Sequence, residues 1–88
     1  MAIYKLSARK VSTAGEGKYE DGQGLRLVVS PTGAKKWVLR FTFKSRRREM
    51  GLGSYPTVSL DHARKLAGEA RLKIFEGVDP IQHRQIAR

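Results

Sequence analysis

At 88 residues the chain makes one small domain with a modest core, and its 40% hydrophobic content argues against disorder over most of its length. It has no cysteine, which excludes disulfides and thiolate metal sites; no apolar run approaches the roughly 20 residues that span a bilayer, and residues 1–10 do not read as a secretory signal, so a cytoplasmic protein is expected. Lys and Arg number 18 against 8 Asp and Glu, a net charge of +10, and such self-repulsion points to a polyanionic partner, nucleic acid ahead of an anionic membrane because no basic amphipathic helix with bulky aromatics is present.

Residues 1–18 are basic and weakly patterned. Ile3, Leu6 and Val11 are loosely spaced and Gly15 and Gly17 interrupt them, which predicts an N-terminal arm or short packing segment. The domain proper is expected over residues 19–78. Asp21-Gly22-Gln23-Gly24 reads as a turn, residues 25–30 as a short strand, and Ser30-Pro31-Thr32-Gly33-Ala34 as a second turn. Residues 36–44 alternate: Trp37, Leu39, Phe41 and Phe43 fall on one face and Lys36, Val38, Arg40, Thr42 and Lys44 on the other, the period of a half-buried strand. A tight basic turn near Ser45-Arg46 leads to a third strand over residues 47–52, and Gly51, Gly53 and Pro56 end the sheet. Ser59 stands as a helix N-cap with Asp61 in the first turn. Leu60, Ala63, Leu66, Ala67, Ala70 and Ile74 form a helical stripe over residues 60–76, off which Leu72 falls. Gly77 fits the C′ position, Asp79-Pro80 stops the helix, and residues 79–88 read as a basic linker toward a further domain.

The expected fold is therefore α+β, a three-stranded antiparallel meander packed on one C-terminal helix in the order β-β-β-α. A bare meander is marginal unless its apolar face is covered, so Leu25, Leu27, Val29, Trp37, Leu39, Phe41, Phe43, Met50 and Leu52 should face the helix. By parity the opposite face carries Arg26, Val28, Ser30, Lys36, Val38, Arg40, Thr42, Lys44, Arg47, Glu49 and Gly51. A major groove admits a β-ribbon, Arg pairs bidentately with guanine, and Val or Thr methyls suit thymine. The Arg46-Arg47-Arg48 run at the hairpin tip can reach phosphates. The candidate DNA-binding residues are Arg26, Ser30, Lys36, Arg40, Thr42, Lys44, Arg46, Arg47 and Arg48; the competing view of the same face is a solvated sheet surface.

No catalytic constellation is present. Gly22-Gln23-Gly24 lacks a third glycine and leads into a strand, so it is no phosphate-binding loop; His62 and His83 lie on different segments without cysteine, so no metal site is expected; Ser59 has no base at motif spacing. No cofactor and no small-molecule substrate are implied. Trp37 could stack a base, but its parity with Phe41 assigns it to the core.

The run Lys18-Tyr19-Glu20-Asp21-Gly22-Gln23-Gly24-Leu25-Arg26-Leu27-Val28-Val29-Ser30-Pro31-Thr32-Gly33, followed by Lys36-Trp37-Val38-Leu39-Arg40-Phe41, then Met50-Gly51-Leu52-Gly53-Ser54-Tyr55-Pro56, Ser59-Leu60-Asp61-His62-Ala63-Arg64 and Gly77-Val78-Asp79-Pro80, resembles the N-terminal arm-type-site DNA-binding domain of tyrosine-recombinase integrases of temperate phages and genomic islands. The resemblance covers residues 5–80. It implies binding of double-stranded DNA at arm-type sites, away from the crossover point, with the sheet laid in the major groove, as one part of a protein acting in DNA integration and recombination. It also implies that the catalytic residues lie in other domains, that Tyr4, Tyr19 and Tyr55 are not the nucleophile, and that other integrase subunits are possible partners. RNA binding and protein–protein interaction are the alternative functions.

Overall fold

The structure is a computed structural model that describes residues 4–86. The expectations for Ile3 and for the last two positions of the basic tail lie outside the described residues. Seven elements follow one another: α1 (Ala8–Thr13), β1 (Gly17–Gly22), β2 (Leu25–Val29), β3 (Lys35–Phe43), β4 (Arg46–Tyr55), α2 (Leu60–Phe75) and α3 (Pro80–Ile86). The strands form one antiparallel sheet in the order β1-β2-β3-β4.

The α+β class stands, but the sheet has four strands rather than three, and two short helices accompany α2. The stretch read as an arm contains α1 and the start of β1. The stretch read as a linker contains α3. Each omission has a physical cause. In β1, Asp21 occupies a core-facing position, so the alternation that marks a strand is masked by a charge. Helix α1 is one and a half turns long with a single buried residue, Val11, and so has no periodic stripe; its signal is the Ser7 cap, whose hydroxyl accepts from the Lys10 amide at 3.2 Å. Pro80, expected only to stop α2, begins α3, while α2 has already ended at Phe75. The proline takes the first helical position, where no amide proton is needed, while Asp79 Oδ1 accepts from the Ile81 amide at 2.9 Å as the cap.

The core lies between the sheet and the helices. Leu25, Leu27, Trp37 and Leu39 are fully buried, Val29, Met50 and Leu52 nearly so, and α2 lays Leu60, Ala63, Ala67 and Ala70 on them. The three alanines let the helix approach the sheet closely, and each large side chain so buried contributes on the order of 1.5–3 kcal/mol. One helix does not cover the whole face. Val11 and Ala14 of the α1 segment fill the end near the start of β3, where Lys35 Nζ donates to the Ser12 carbonyl at 2.8 Å. Trp37 belongs to the core as parity indicated, and its Nε1 donates to the Val58 carbonyl at 2.8 Å, satisfying the indole without solvent. Phe41 packs on the rim of the core, but Phe43, expected to face the helix, lies beyond it, half-buried near Val78 and Asp79. As expected, Leu72 is exposed and Ser59 caps α2, accepting from the His62 amide at 3.2 Å. Gly77 closes the helix with φ +80°, its amide bonded to Ile74 and the Val78 amide to Lys73.

Two bulges set which residues face which way. Trp37 pairs with Gly53 and Val38 with Gly51, so Leu52 is an extra residue in β4, turned into the core, and the alternation shifts at Gly53. The strand does not end at Gly51 and Gly53; it continues to Tyr55 with its parity reset. In β1 the register shifts between Glu20 and Gly22, and Asp21 is the residue turned inward.

Candidate nucleic-acid interface

With α1 and α2 on one side, the other side of the sheet carries no element among the described residues. Cross-strand pairing assembles it row by row. Lys18, Val28, Lys36 and Ser54 form one row; Glu20, Arg26, Val38 and Gly51 the next; Arg40 pairs with Glu49 and Thr42 with Arg47 toward the hairpin tip. Between β2, β3 and β4 this face holds an open depression of about 560 Å³ whose lining includes Glu20, Arg26, Arg40, Thr42, Arg47 and Glu49.

The expected residues separate into two groups. Lys36, Arg40, Thr42 and Arg47 stand exposed on the outer face. Lys44 and Arg46 project at the tip of the β3–β4 hairpin. There Lys44 and Ser45 both take positive φ, +50° and +67°, the geometry of a two-residue turn whose twist matches the strands. The Lys44 ammonium sits 5.4 Å from the centre of the Phe43 ring. Three others are engaged within the fold. Ser30 closes the Ser30–Ala34 turn, its Oγ 2.9 Å from Thr32 Oγ1 and accepting from the Ala34 amide. Arg26 lies flat on the sheet, paired through Nη2 with Glu20, its side chain 16% exposed and its Nε buried without a partner. Arg48 points to the helix side, by its parity with Met50 and Leu52, and pairs with Asp79 at the α2–α3 junction. The arginine run thus does not act as one cluster, because consecutive strand residues face opposite ways.

Three outer-face residues escaped the sequence, Glu20 beside Arg26 being one. Lys18 sits on the unread strand β1, opposite Val28, and Ser54 reaches this face only because the Leu52 bulge shifts the register. Among the described residues Lys18, Lys36, Lys44, Arg46 and Arg47 enter no ion pair. Their charge is therefore available to an external anion. Among the described residues no group of three His, Asp or Glu could hold a metal ion, and no helix is long and apolar enough to cross a membrane.

The strongest charge pairing lies on the opposite side and organises the fold. Asp21 is fully buried. Arg64 of α2 donates through Nε to Asp21 Oδ2 at 2.8 Å and through Nη2 to Oδ1 at 2.9 Å and the Leu6 carbonyl at 2.8 Å, while the Leu6 amide donates to Oδ1 at 2.9 Å. Burial pushes the Asp21 carboxyl up, but the Arg64 hydrogen bonds and the Leu6 amide outweigh it and hold the group below its ordinary value. The same hydrogen bonds raise Arg64 above its ordinary value. This hub ties the N-terminal segment, β1 and α2 together. It takes no charge from the outer face, whose Lys18, Lys36 and Arg47 enter no ion pair among the described residues.

Known proteins give this arrangement its family. Residues 3–87 match the family model described as Arm DNA-binding domain. Among similar proteins, the integrase of Enterobacteria phage P4 is 39% identical over 82 residues, 86% of this chain and 19% of that protein. Prophage integrase IntA of Escherichia coli (strain K12) is 36% identical over 67 residues, 74% of this chain and 16% of that protein. The integrase of Shigella phage Sf6 is 39% identical over 62 residues, 70% of this chain and 16% of that protein. The chain spans less than a fifth of the length of each of these relatives. A match over nearly the whole chain, on a sheet with one face packed and the other cationic, means that this chain belongs to the Arm DNA-binding domain family.

Proposed function

We propose that this chain binds double-stranded DNA sequence-specifically at arm-type sites, as the N-terminal domain of a site-specific integrase acting in DNA integration and recombination. The observation that carries the reading is the uncovered outer face, where unpaired Lys18, Lys36 and Arg47 surround Arg40 and Thr42 on a rigid antiparallel sheet. In this reading the face enters the major groove. Arg40 and Thr42 meet base edges, and Lys36, Arg47, Lys44 and Arg46 meet phosphates on either side. Arg26, Ser30 and Arg48 shape the surface from within. The strand exchange of a tyrosine recombinase would belong to the remainder of a full-length protein, since the chain spans less than a fifth of its integrase relatives.

The test is fluorescence anisotropy of the 88-residue chain on mixed-sequence duplex DNA across a salt series. Binding whose log–log slope corresponds to four to seven phosphates at ~0.9 each supports the reading. Absence of binding at low salt overturns it. Duplex RNA as competitor separates the RNA alternative, because the deep, narrow major groove of A-form RNA cannot accept the sheet.

A second reading, contact with other integrase subunits, has its own observation. Phe75 is 88% exposed beside exposed Leu72 and Val78 at the C-terminal end of α2, on the side away from the proposed DNA face. Sizing with and without duplex DNA tests it. A species holding one chain per duplex at all concentrations argues against it.

A further inference from the structure

A face meant for a polyanion should avoid carboxylates, yet Glu20 and Glu49 both stand on it, each directly cross-strand from an arginine. The two pairs differ in geometry. Glu20 engages Nη2 of Arg26, one of the two nitrogens of the terminal fork, and the rest of that side chain is largely buried. Glu49 instead lies against the Nε edge of Arg40, with Oε2 3.3 Å from Nε, and the Arg40 side chain is 41% exposed. Among the described residues Nη1 and Nη2 of Arg40 have no partner. The free end of that guanidinium is the end that donates in parallel to O6 and N7 of guanine.

We infer that Glu49 is a positioning residue for base readout: it holds Arg40 by its Nε edge, keeps the terminal fork turned outward, and repels phosphate from that point of the face. The inference rests on the DNA-binding reading and deepens it. A lone arginine on a flexible stem collapses onto the nearest phosphate, which binds every sequence alike. An arginine buttressed by a carboxylate carries little net charge and loses less freedom when it meets a base, so it discriminates more and attracts less. Arg26, with one fork nitrogen held by Glu20 and its side chain largely buried, is part of the floor of the depression and not a reader. Arg47, unpaired and two residues before Glu49 on the same face, is the phosphate contact beside it. The carboxylate thus costs affinity for random DNA and gains selectivity.

The experiment selects from a random-sequence duplex pool with the wild-type chain, Arg40→Ala and Glu49→Gln, and measures the affinity of each for one fixed mixed-sequence duplex and its thermal midpoint. The expected result is that wild type enriches a motif, R40A loses preference at one base pair, and E49Q loses preference by roughly tenfold at that same base pair. E49Q should also bind the fixed duplex several-fold more tightly, with a salt slope steeper by about 0.9, at an unchanged thermal midpoint. An E49Q motif identical to wild type, or altered at a different position from that of R40A, overturns the inference while DNA binding stands. A fallen midpoint in E49Q gives Glu49 a structural role and overturns it too. A wild-type chain that enriches no motif overturns the sequence-reading function and this inference together.

Discussion

Asp21 is the residue on which most of the packing converges, and nothing in its neighbourhood of Glu20 and Gly22 distinguishes it from a turn aspartate. A carboxylate that is 0% exposed survives only when its partners replace water, and here Arg64 and the Leu6 amide do so. Removing one partner leaves the other charge in a poor environment. Asp21→Ala should therefore cost about 3–5 kcal/mol, lowering the thermal midpoint by more than ~10 °C in a domain of this size, as calorimetry would show. The pH dependence follows from the lowered carboxyl. Its stabilisation is present in full above the unfolded value of about 3.9 and is lost as pH falls from there through the lower folded value. Urea titrations below pH 5 should thus show a decline in stability that is weaker in Asp21→Asn, which lacks the titrating group. In the sequence Arg64 is only the last residue of the Ser59–Arg64 motif; that it answers a charge 43 positions away is a fact of folding, invisible in local pattern.

At the level of elements, glycines decide whether the strands can register. Gly24 has φ +90°, and a Cβ there would run into the Arg40 carbonyl, because the Arg40 amide bonds the Gly24 carbonyl at 2.8 Å where β2 and β3 close on each other. Gly53 has φ +118°, and its Cβ would lie 2.5 Å from Val58 Cγ2, next to the residue whose carbonyl receives Trp37. Gly24→Ala and Gly53→Ala should each cost roughly 2–6 kcal/mol, since strained backbone and a clash add, and chemical denaturation would measure it. Gly53→Ala should also disturb the bulge that turns Ser54 outward and Leu52 inward. Gly51, with open space where a Cβ would go, should accept alanine with a change under about 0.5 kcal/mol. The sequence showed that glycines sit near the end of the third expected strand. It read them as a stop, whereas they are the condition for the strand to continue.

For the whole molecule, charge is the dominant feature. A net +10 on 88 residues, with Lys18, Lys36, Lys44, Arg46 and Arg47 among the described cations that enter no ion pair, makes salt act in opposite directions on folding and on binding. Without DNA, raising ionic strength from ~0.01 to ~1 M shortens the Debye length from about 30 to 3 Å and should raise the thermal midpoint by screening repulsion among Lys18, Lys36, Lys44, Arg46 and Arg47. Over the same range duplex affinity should fall steeply. Parallel salt series by calorimetry and anisotropy check both signs, and a midpoint that falls with salt would contradict the account of the outer face. Duplex DNA at low salt should in turn raise the midpoint by mass action.

The amino-acid sequence by itself determined the α+β class, the inward residues from Leu25 to Leu52 except Phe43, the helix with its Ser59 and Gly77 ends, and the polar outer strand residues Lys36, Arg40 and Thr42. Those features follow from period, capping and charge, which are local. The tertiary structure alone decided four things: that a strand passes through Asp21, that α1 completes the cover of the core, that a bulge at Leu52 resets the parity of β4, and that Arg26 and Arg48 pair with Glu20 and Asp79 while Arg40 keeps its fork free. The reason is common to all four. A buried charge, a register shift or an ion pair is made acceptable by groups distant in sequence, and their positions exist only once the chain has folded.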